Sequence, residues 1–263
     1  MTQHDVFPTE GPVTVTPIAD GALWHVKLAT PKANILDAAK VETLTSVFRH
    51  AASEKGLKVV LLDSEGPHFS FGASVEEHLP GEVEAMIPRF HHLFDVMLDA
   101  SVTTLAAVRG QCLGGGLELV SFCNRVFSAP GAHLGQPEIQ LGVFAPVASV
   151  FLAERLGRCR AEDLCLSGRS VDAAEALRIG LVDEIAEDPS GAALGYAREH
   201  LLPRSAVALR LALQALRGGF ADRYRAAIER VERLYLEDLM TTRDAQEGLR
   251  AFLEKRAPSW SNS

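Results

Sequence analysis

Apolar and polar residues alternate in two short runs near the start of the chain, around Val13–Thr16 and Leu23–Leu28, and predict two half-buried strands. The period then changes. Val41, Leu44, Val47, Phe48 and Ala51 recur at helical spacing between Asp37, a residue type that caps helix N-termini, and Gly56. "KVVLLD" (Lys58–Asp63) reads as a buried strand, and the loop "SEGPHFSFGAS" follows it. A further helix is predicted from about Glu82 to Leu98, a strand at Thr103–Val108, a helix at Leu117–Cys123 and a strand at Arg125–Ala129. Strands alternating with helices predict parallel pairing with helical crossovers.

The texture changes near Pro203. Strand signals stop, and "RSAVALRLALQAL", "RYRAAIERVERLYLEDLM" and "RDAQEGLRAFLEKR" each read as an amphipathic helix. Val231, Leu234, Tyr235 and Leu239 give the second of these an apolar stripe, which suits either intramolecular core or a subunit contact. The chain thus divides into a core at residues 1–202 and a helical region at 203–263. No internal repeat, low-complexity tract or long linker interrupts it.

Composition narrows the function classes. With 263 residues, 47% of them hydrophobic, the chain can build one large α/β domain. No apolar run reaches the roughly 18 residues that span a bilayer, and the polar, acidic first eleven residues are unlike a secretory signal. A net charge of -8 disfavours a nucleic-acid surface. Cys112, Cys123, Cys159 and Cys165 form no C-x-x-C pair and have no matching histidine pattern. They are expected as reduced core or near-core thiols of a cytoplasmic protein, with no metal site.

The stretch that calls for a chemical reason is "GQCLGGGLE" (Gly110–Glu118). Three consecutive glycines carry a large entropic cost on folding. A phosphate loop would need Gly-Lys-Ser/Thr after them, and a dinucleotide fingerprint would need Gly-x-Gly-x-x-Gly with a later acid; neither fits. One reading is a strand-to-helix turn where glycines only allow close packing. The other uses the unpaired amides of the helix N-terminus to hold an oxygen that becomes negative, with Glu118 in the first turn beside it. That chemistry needs a second amide and a second proton-transfer group. Ala73 in "HFSFGAS" and Glu138 in "LGQPEIQLG" are the candidates, and apolar neighbours around Glu138 would favour its protonated form. Two carboxyls of separated proton affinity suit addition or removal of water across a double bond.

Taken together, "TPKANIL", "HFSFGAS", "VRGQCLGGGLEL", "HLGQPEIQLGV", "LSGRSVDAAEALRIGLVDEI" and "FLEKR" resemble the enoyl-CoA hydratase/isomerase (crotonase) superfamily along nearly the whole chain. The resemblance implies an α/β fold, a spiral of ββα units with a C-terminal helical region that builds homotrimers or homohexamers. It implies an acyl-CoA thioester substrate, with CoA as part of the substrate and no other cofactor. Carried over by position, the amides of Ala73 and Gly115 form an oxyanion hole, and Glu118 and Glu138 are the catalytic pair. Lys32, Ala33, Asn34, Phe71, Gly72 and Lys255 fall in the CoA-binding region, although an exposed helix-end lysine explains Lys255 equally well.

Two stretches depart from the family pattern. The first loop reads Phe71-Gly72-Ala73-Ser74, and "FAPVASVF" stands where a glycine-rich turn is usual, so Phe144, Ala145 and Pro146 shape the acyl pocket. Within the superfamily, "GQPEIQLGVFAP", "LYLEDLM" and "EGLRAFLEKR" look most like hydratases of cyclic dienoyl-CoA esters in anaerobic aromatic degradation. The implied reaction is 1,4-addition of water to cyclohexa-1,5-diene-1-carbonyl-CoA, giving 6-hydroxycyclohex-1-ene-1-carbonyl-CoA. A straight-chain enoyl-CoA hydratase, an enoyl-CoA isomerase and a non-catalytic RNA-binding relative stay open as alternatives.

Overall fold

The computed structural model describes residues 10–30 and 32–263. Its main sheet has six strands in the order β1-β2-β3-β4-β6-β9: β1 Val13–Ile18, β2 Leu23–Leu28, β3 Val59–Ser64, β4 Thr103–Val108, β6 Arg125–Ser128 and β9 Glu184–Ile185. β1 and β2 pair antiparallel, and every later pairing is parallel, with Leu61 opposite Leu105 and Leu105 opposite Arg125. The crossovers are α1 (Ala38–Ser53), α2 (Val83–Ala100) and α3 (Gly115–Ser121). Asp37 caps α1, its carboxylate accepting the Lys40 amide at 2.9 Å.

A second layer sits beside the first. β5 (Gln111–Leu113) pairs parallel with β7 (His133–Gly135), which pairs antiparallel with β8 (Ser170–Asp172). Isolated bridges extend it, Ser70 to Cys112 and Leu36 to Ala73. After β2, β3, β4 and β6, therefore, the chain turns once and adds an extended piece to this thin layer, the spiral that the resemblance implies. The layer is where the loops of successive turns meet.

The remaining helices are α4 (Pro146–Leu156), α5 (Arg158–Ser167), α6 (Ala173–Ile179), α7 (Pro189–Tyr196), α8 (Ala206–Arg233) and α9 (Arg243–Leu253). The first two C-terminal helices expected from the sequence are one: α8 runs through Gly218 and Gly219 and continues as a π-turn, Leu234–Asp238. Interior glycines cost about 1 kcal/mol each, but Leu213, Tyr224 and Ile228 are buried on either side and hold the helix to the core. Of the predicted stripe, Tyr235 is buried whereas Leu234 is half exposed.

Phe122, which ends α3, is central to the core. Its ring meets Phe94 of α2, Phe151 of α4 and Tyr224 of α8 at centroid distances of 5.1, 4.7 and 5.5 Å. Burying such a ring contributes about 1.5–3 kcal/mol, and here it fixes the helix that carries Glu118. All four cysteines are free; Cys112 and Cys123 are buried and Cys165 is half-buried, but Cys159 is exposed rather than near the core. Among the described residues no helix is long and apolar enough to cross a membrane.

Candidate active site

The three glycines make room for three different neighbours. Gly114 takes φ +53°, and a Cβ there would lie 2.5 Å from Glu138 Oε1. A Cβ on Gly115 would meet Phe90 Cζ at 3.1 Å and the Ala73 nitrogen at 3.3 Å. On Gly116 it would run into Ser70 Cβ at 2.7 Å. Both readings of the stretch therefore apply: close packing at Gly116, and access to a carboxylate and an amide at Gly114 and Gly115. Helix α3 begins at Gly115, ahead of the apolar run from Leu117, so the Gly115 amide belongs to the unpaired set at the helix start.

The Ala73 loop is tied down from below. Ser70 Oγ donates to the Asn34 carbonyl at 2.8 Å and accepts the Gly72 amide at 3.0 Å. Gly72, at φ +98°, lies so close to the glycine turn that a Cβ would sit 2.9 Å from the Leu113 carbonyl oxygen. Among the described residues neither the Ala73 nor the Gly115 amide has an acceptor, and the two face the same space.

Glu118 is buried at 4% exposure, and its Oε1 accepts the Ala148 amide at 2.8 Å at the start of α4. Glu138 stands in the 3-10 turn Pro137–Leu141, half-buried against Gly114. Both carboxyls are held above the usual range. Burial raises Glu118 to about 7, against the pull of the Ala148 and Val147 amides. Burial, then the charge of Glu118, raises Glu138 to about 8. Gln136, also buried, satisfies its surroundings with its amide nitrogen turned to Glu138, 3.1 and 3.2 Å from the carboxylate oxygens and 3.3 Å from the Gly114 carbonyl. It orients Glu138.

These groups open on a cavity of about 450 Å³. Of the residues expected from the sequence, Phe71, Gly72, Ala73, Gly115, Glu118, Glu138, Phe144, Ala145 and Pro146 all line it. Lys32, Ala33, Asn34 and Lys255 do not. The Asn34 side chain is a correction: it is fully buried, accepts the Thr30 amide at 2.9 Å and donates to the Glu65 and His68 carbonyls at 3.0 and 3.1 Å, so it builds the loop rather than facing a ligand. The Ala33 carbonyl accepts the Phe71 amide at 2.9 Å. Lys32 and Lys255 are exposed. The sequence reading missed His78, Phe90, Leu249 and Phe252, which line the cavity, and Gln136 behind it. Gln136 is two residues from Glu138, and Phe252 opens the "FLEKR" segment; His78 and Phe90 carried no local signal.

Two unpaired amides, a pair of raised carboxyls and an apolar cavity are what acyl-thioester chemistry through an enolate requires. Residues 19–263 match the family model for enoyl-CoA hydratase/isomerase. The chain belongs to that family. Its substrate class is accordingly an acyl-CoA thioester. The chain is 52% identical to cyclohexa-1,5-dienecarbonyl-CoA hydratase of Thauera aromatica, over 92% of this chain and 94% of that one. It is 32% identical to a probable enoyl-CoA hydratase of Mycobacterium bovis, over 92% and 96%. Among solved structures, an enoyl-CoA hydratase from Mycobacterium avium subsp. paratuberculosis superposes with a TM-score of 0.83 at 25% identity, covering 95% of this chain and 99% of that one. The enoyl-CoA hydratase/isomerase fold thus extends over nearly the whole chain, C-terminal helices included.

Proposed function

We propose that the protein is a hydratase that adds water in 1,4 fashion to cyclohexa-1,5-diene-1-carbonyl-CoA, yielding 6-hydroxycyclohex-1-ene-1-carbonyl-CoA. The observation that carries this reading is the pair of glutamates flanking the glycine turn, both held above the usual carboxyl range, with two backbone amides favouring the anion of Glu118 against its burial and the Glu118 charge favouring the acid form of Glu138. The identity to the Thauera hydratase supports the cyclic substrate, and Phe144 on the cavity wall suits a flat ring.

The thioester oxygen is received by the amides of Ala73 and Gly115. Glu118, whose ionised form is favoured by the Ala148 amide, takes a proton from water as the water oxygen bonds to the ring carbon β to the thioester. The electron pair of the broken double bond moves to the thioester oxygen and, through the second double bond, to the vinylogous carbon. Glu138, kept protonated by burial and by the neighbouring anion, gives its proton there. The thioester carbonyl re-forms, one double bond remains, and one water has been added. In this reading Phe71 and Gly72 flank the CoA arm, the enzyme works in the cytoplasm, and the C-terminal helices join copies of the chain into trimers or hexamers.

The test is incubation of the purified protein with the cyclic diene ester and, separately, with crotonyl-CoA, following the mass gain of one water. Fast hydration of the diene alone supports the reading. Fast hydration of crotonyl-CoA alone replaces it with a straight-chain hydratase, and a shifted double bond without mass gain replaces it with an isomerase.

A further inference from the structure

One polar atom on the cavity wall has no part in the chemistry above. His78 closes the 3-10 turn Glu76–His78 and lines the cavity with Glu118, Glu138 and Phe144. Its Nδ1 stands 2.6 Å from the Ser74 carbonyl oxygen. A carbonyl only accepts, so Nδ1 carries the hydrogen. Burial keeps the imidazole below the usual histidine range, against the pull of the Ser74 bond, and so favours the neutral ring. Nε2 is then a bare lone pair, and among the described residues no donor reaches it.

Its neighbours on the wall are already engaged. Ser74 Oγ donates to Glu76 at 3.0 Å, and the Gln140 amide donates to the Gly168 carbonyl at 2.8 Å. The His78 ring packs edge-on against Tyr235 at 6.5 Å, and Tyr235 packs against Phe144 at 5.2 Å. The imidazole therefore belongs to the wall that Phe144 builds. A ligand that displaces water from this acceptor and brings no donor leaves it unpaired at a cost, so the position selects a ligand that brings one. A hydrocarbon acyl group has no donor until water adds to it.

We propose that His78 is a specificity-determining residue whose Nε2 accepts the hydroxyl of the hydroxyacyl product. The proposal rests on the hydratase reading and names a residue by which the product is distinguished from its deoxy analogue. The product hydroxyl donates to Nε2, and the water that becomes it is held there as it approaches the β carbon.

The experiment compares hydroxy and deoxy esters by isothermal titration calorimetry in a Glu138→Gln background, which keeps the hydroxy esters from losing water during the titration. One pair is 6-hydroxycyclohex-1-ene-1-carbonyl-CoA and cyclohex-1-ene-1-carbonyl-CoA; the other is 3-hydroxybutanoyl-CoA and butanoyl-CoA. With His78 present, the hydroxy member of the accepted pair should bind about tenfold tighter. His78→Phe should abolish that preference while deoxy affinity stays within about twofold, and His78→Gln, whose amide oxygen reaches toward the Nε2 position, should restore part of it. Equal weakening of both members by His78→Phe would mean a loop-positioning role or a contact to the CoA arm, and would overturn the proposal. So would a preference that survives His78→Phe, or no preference with His78 in place. If the preferred pair is the straight-chain one, the cyclic substrate falls while the His78 comparison still gives its own answer.

Discussion

Glu118 and Ala148 are joined by a 2.8 Å hydrogen bond between a buried carboxylate oxygen and the amide of the third residue of α4. Pro146 opens that helix, where its missing N–H costs nothing, and the next two amides, of Val147 and Ala148, point at Glu118. The "FAPVAS" segment, which departs from the family's glycine-rich turn, thus brings the positive end of a helix under one of the two glutamates. These two amides offset part of the burial that raises Glu118, whereas Glu138 is raised further by burial and by the charge of Glu118.

Replacing either glutamate by glutamine tests the pair. A glutamine side chain keeps an oxygen for the Ala148 amide, so Glu118→Gln should fold normally. Each variant should lose about two to four orders of magnitude in turnover while binding of the CoA ester persists. Near-normal turnover in a stopped-flow hydration assay would remove that residue from proton transfer.

The same substitutions have a stability signature with a definite sign. Both carboxyls are raised in the folded protein from 4.5, to about 7 and about 8. A raised group binds more protons folded than unfolded, so its contribution is complete below the unfolded value and is lost as pH rises through the folded one. Glutamine does not titrate. The melting temperature of Glu138→Gln relative to the parent should therefore climb between about pH 5 and pH 9; a difference flat with pH would mean the carboxyl is not raised.

Much of this site was legible in the sequence, and what was not has physical causes. Gly115, Glu118, Ala73 and Glu138 stood out because bare amides and desolvated acids are unusual residue choices at loop–helix junctions. Strand Thr103–Val108 was legible because a full buried strand leaves an apolar run. Strands of three residues such as Gln111–Leu113 have too few positions to show a period, and they exist because neighbouring turns of the spiral pair with them. Asn34 was misread because polar residues that hold a loop look, in sequence, like polar residues that hold a ligand. Phe90 and Leu249 come from helices whose apolar faces also build the core, so nothing local separates cavity wall from core.

Gly115→Pro removes the proposed oxyanion donor at the first residue of α3, where the φ of proline suits a helix although its Cβ presses on Phe90 Cζ and the Ala73 nitrogen. Loss of one such donor costs about 3–4 kcal/mol of barrier. Turnover should fall at least a hundredfold, with far-ultraviolet circular dichroism unchanged. A fully active proline variant would exclude the Gly115 amide from the mechanism.

Phe144 lines the cavity and packs edge-on against Tyr235 at 5.2 Å. Phe144→Ala opens the wall on which a ring would lie. The ratio of kcat/KM for the cyclic diene to that for crotonyl-CoA should drop by about tenfold or more, the scale of a lost apolar contact. An unchanged ratio would mean that shape selection resides elsewhere, and Phe71 would be tested next.

The C-terminal helix holds the Glu138 turn in place through a contact that tolerates no side chain. A Cβ on Gly248 of α9 would collide with the Leu141 carbonyl oxygen, in the turn that carries Glu138. The tail folds back to hold α9 there: Asp244 accepts the Ser261 and Asn262 amides at 2.7 Å each, Glu247 accepts the Ser259 amide at 2.9 Å, and Trp260 lies over Gly142 and Gly248. Gly248→Ala must push α9 and the turn apart, and a shift of about 1 Å at a proton donor can cost on the order of a hundredfold in rate. Deleting residues 259–263 removes the tail without adding bulk, so it should lower turnover by a smaller factor while α8 and the main sheet stay intact. Turnover and hydrogen exchange across Pro137–Leu141, measured on both variants, decide the matter. Faster exchange in that turn together with slower turnover places the C-terminal helix in the active site's support, whereas lost activity with unchanged exchange there would assign the effect to Phe252 and Leu249 on the cavity wall.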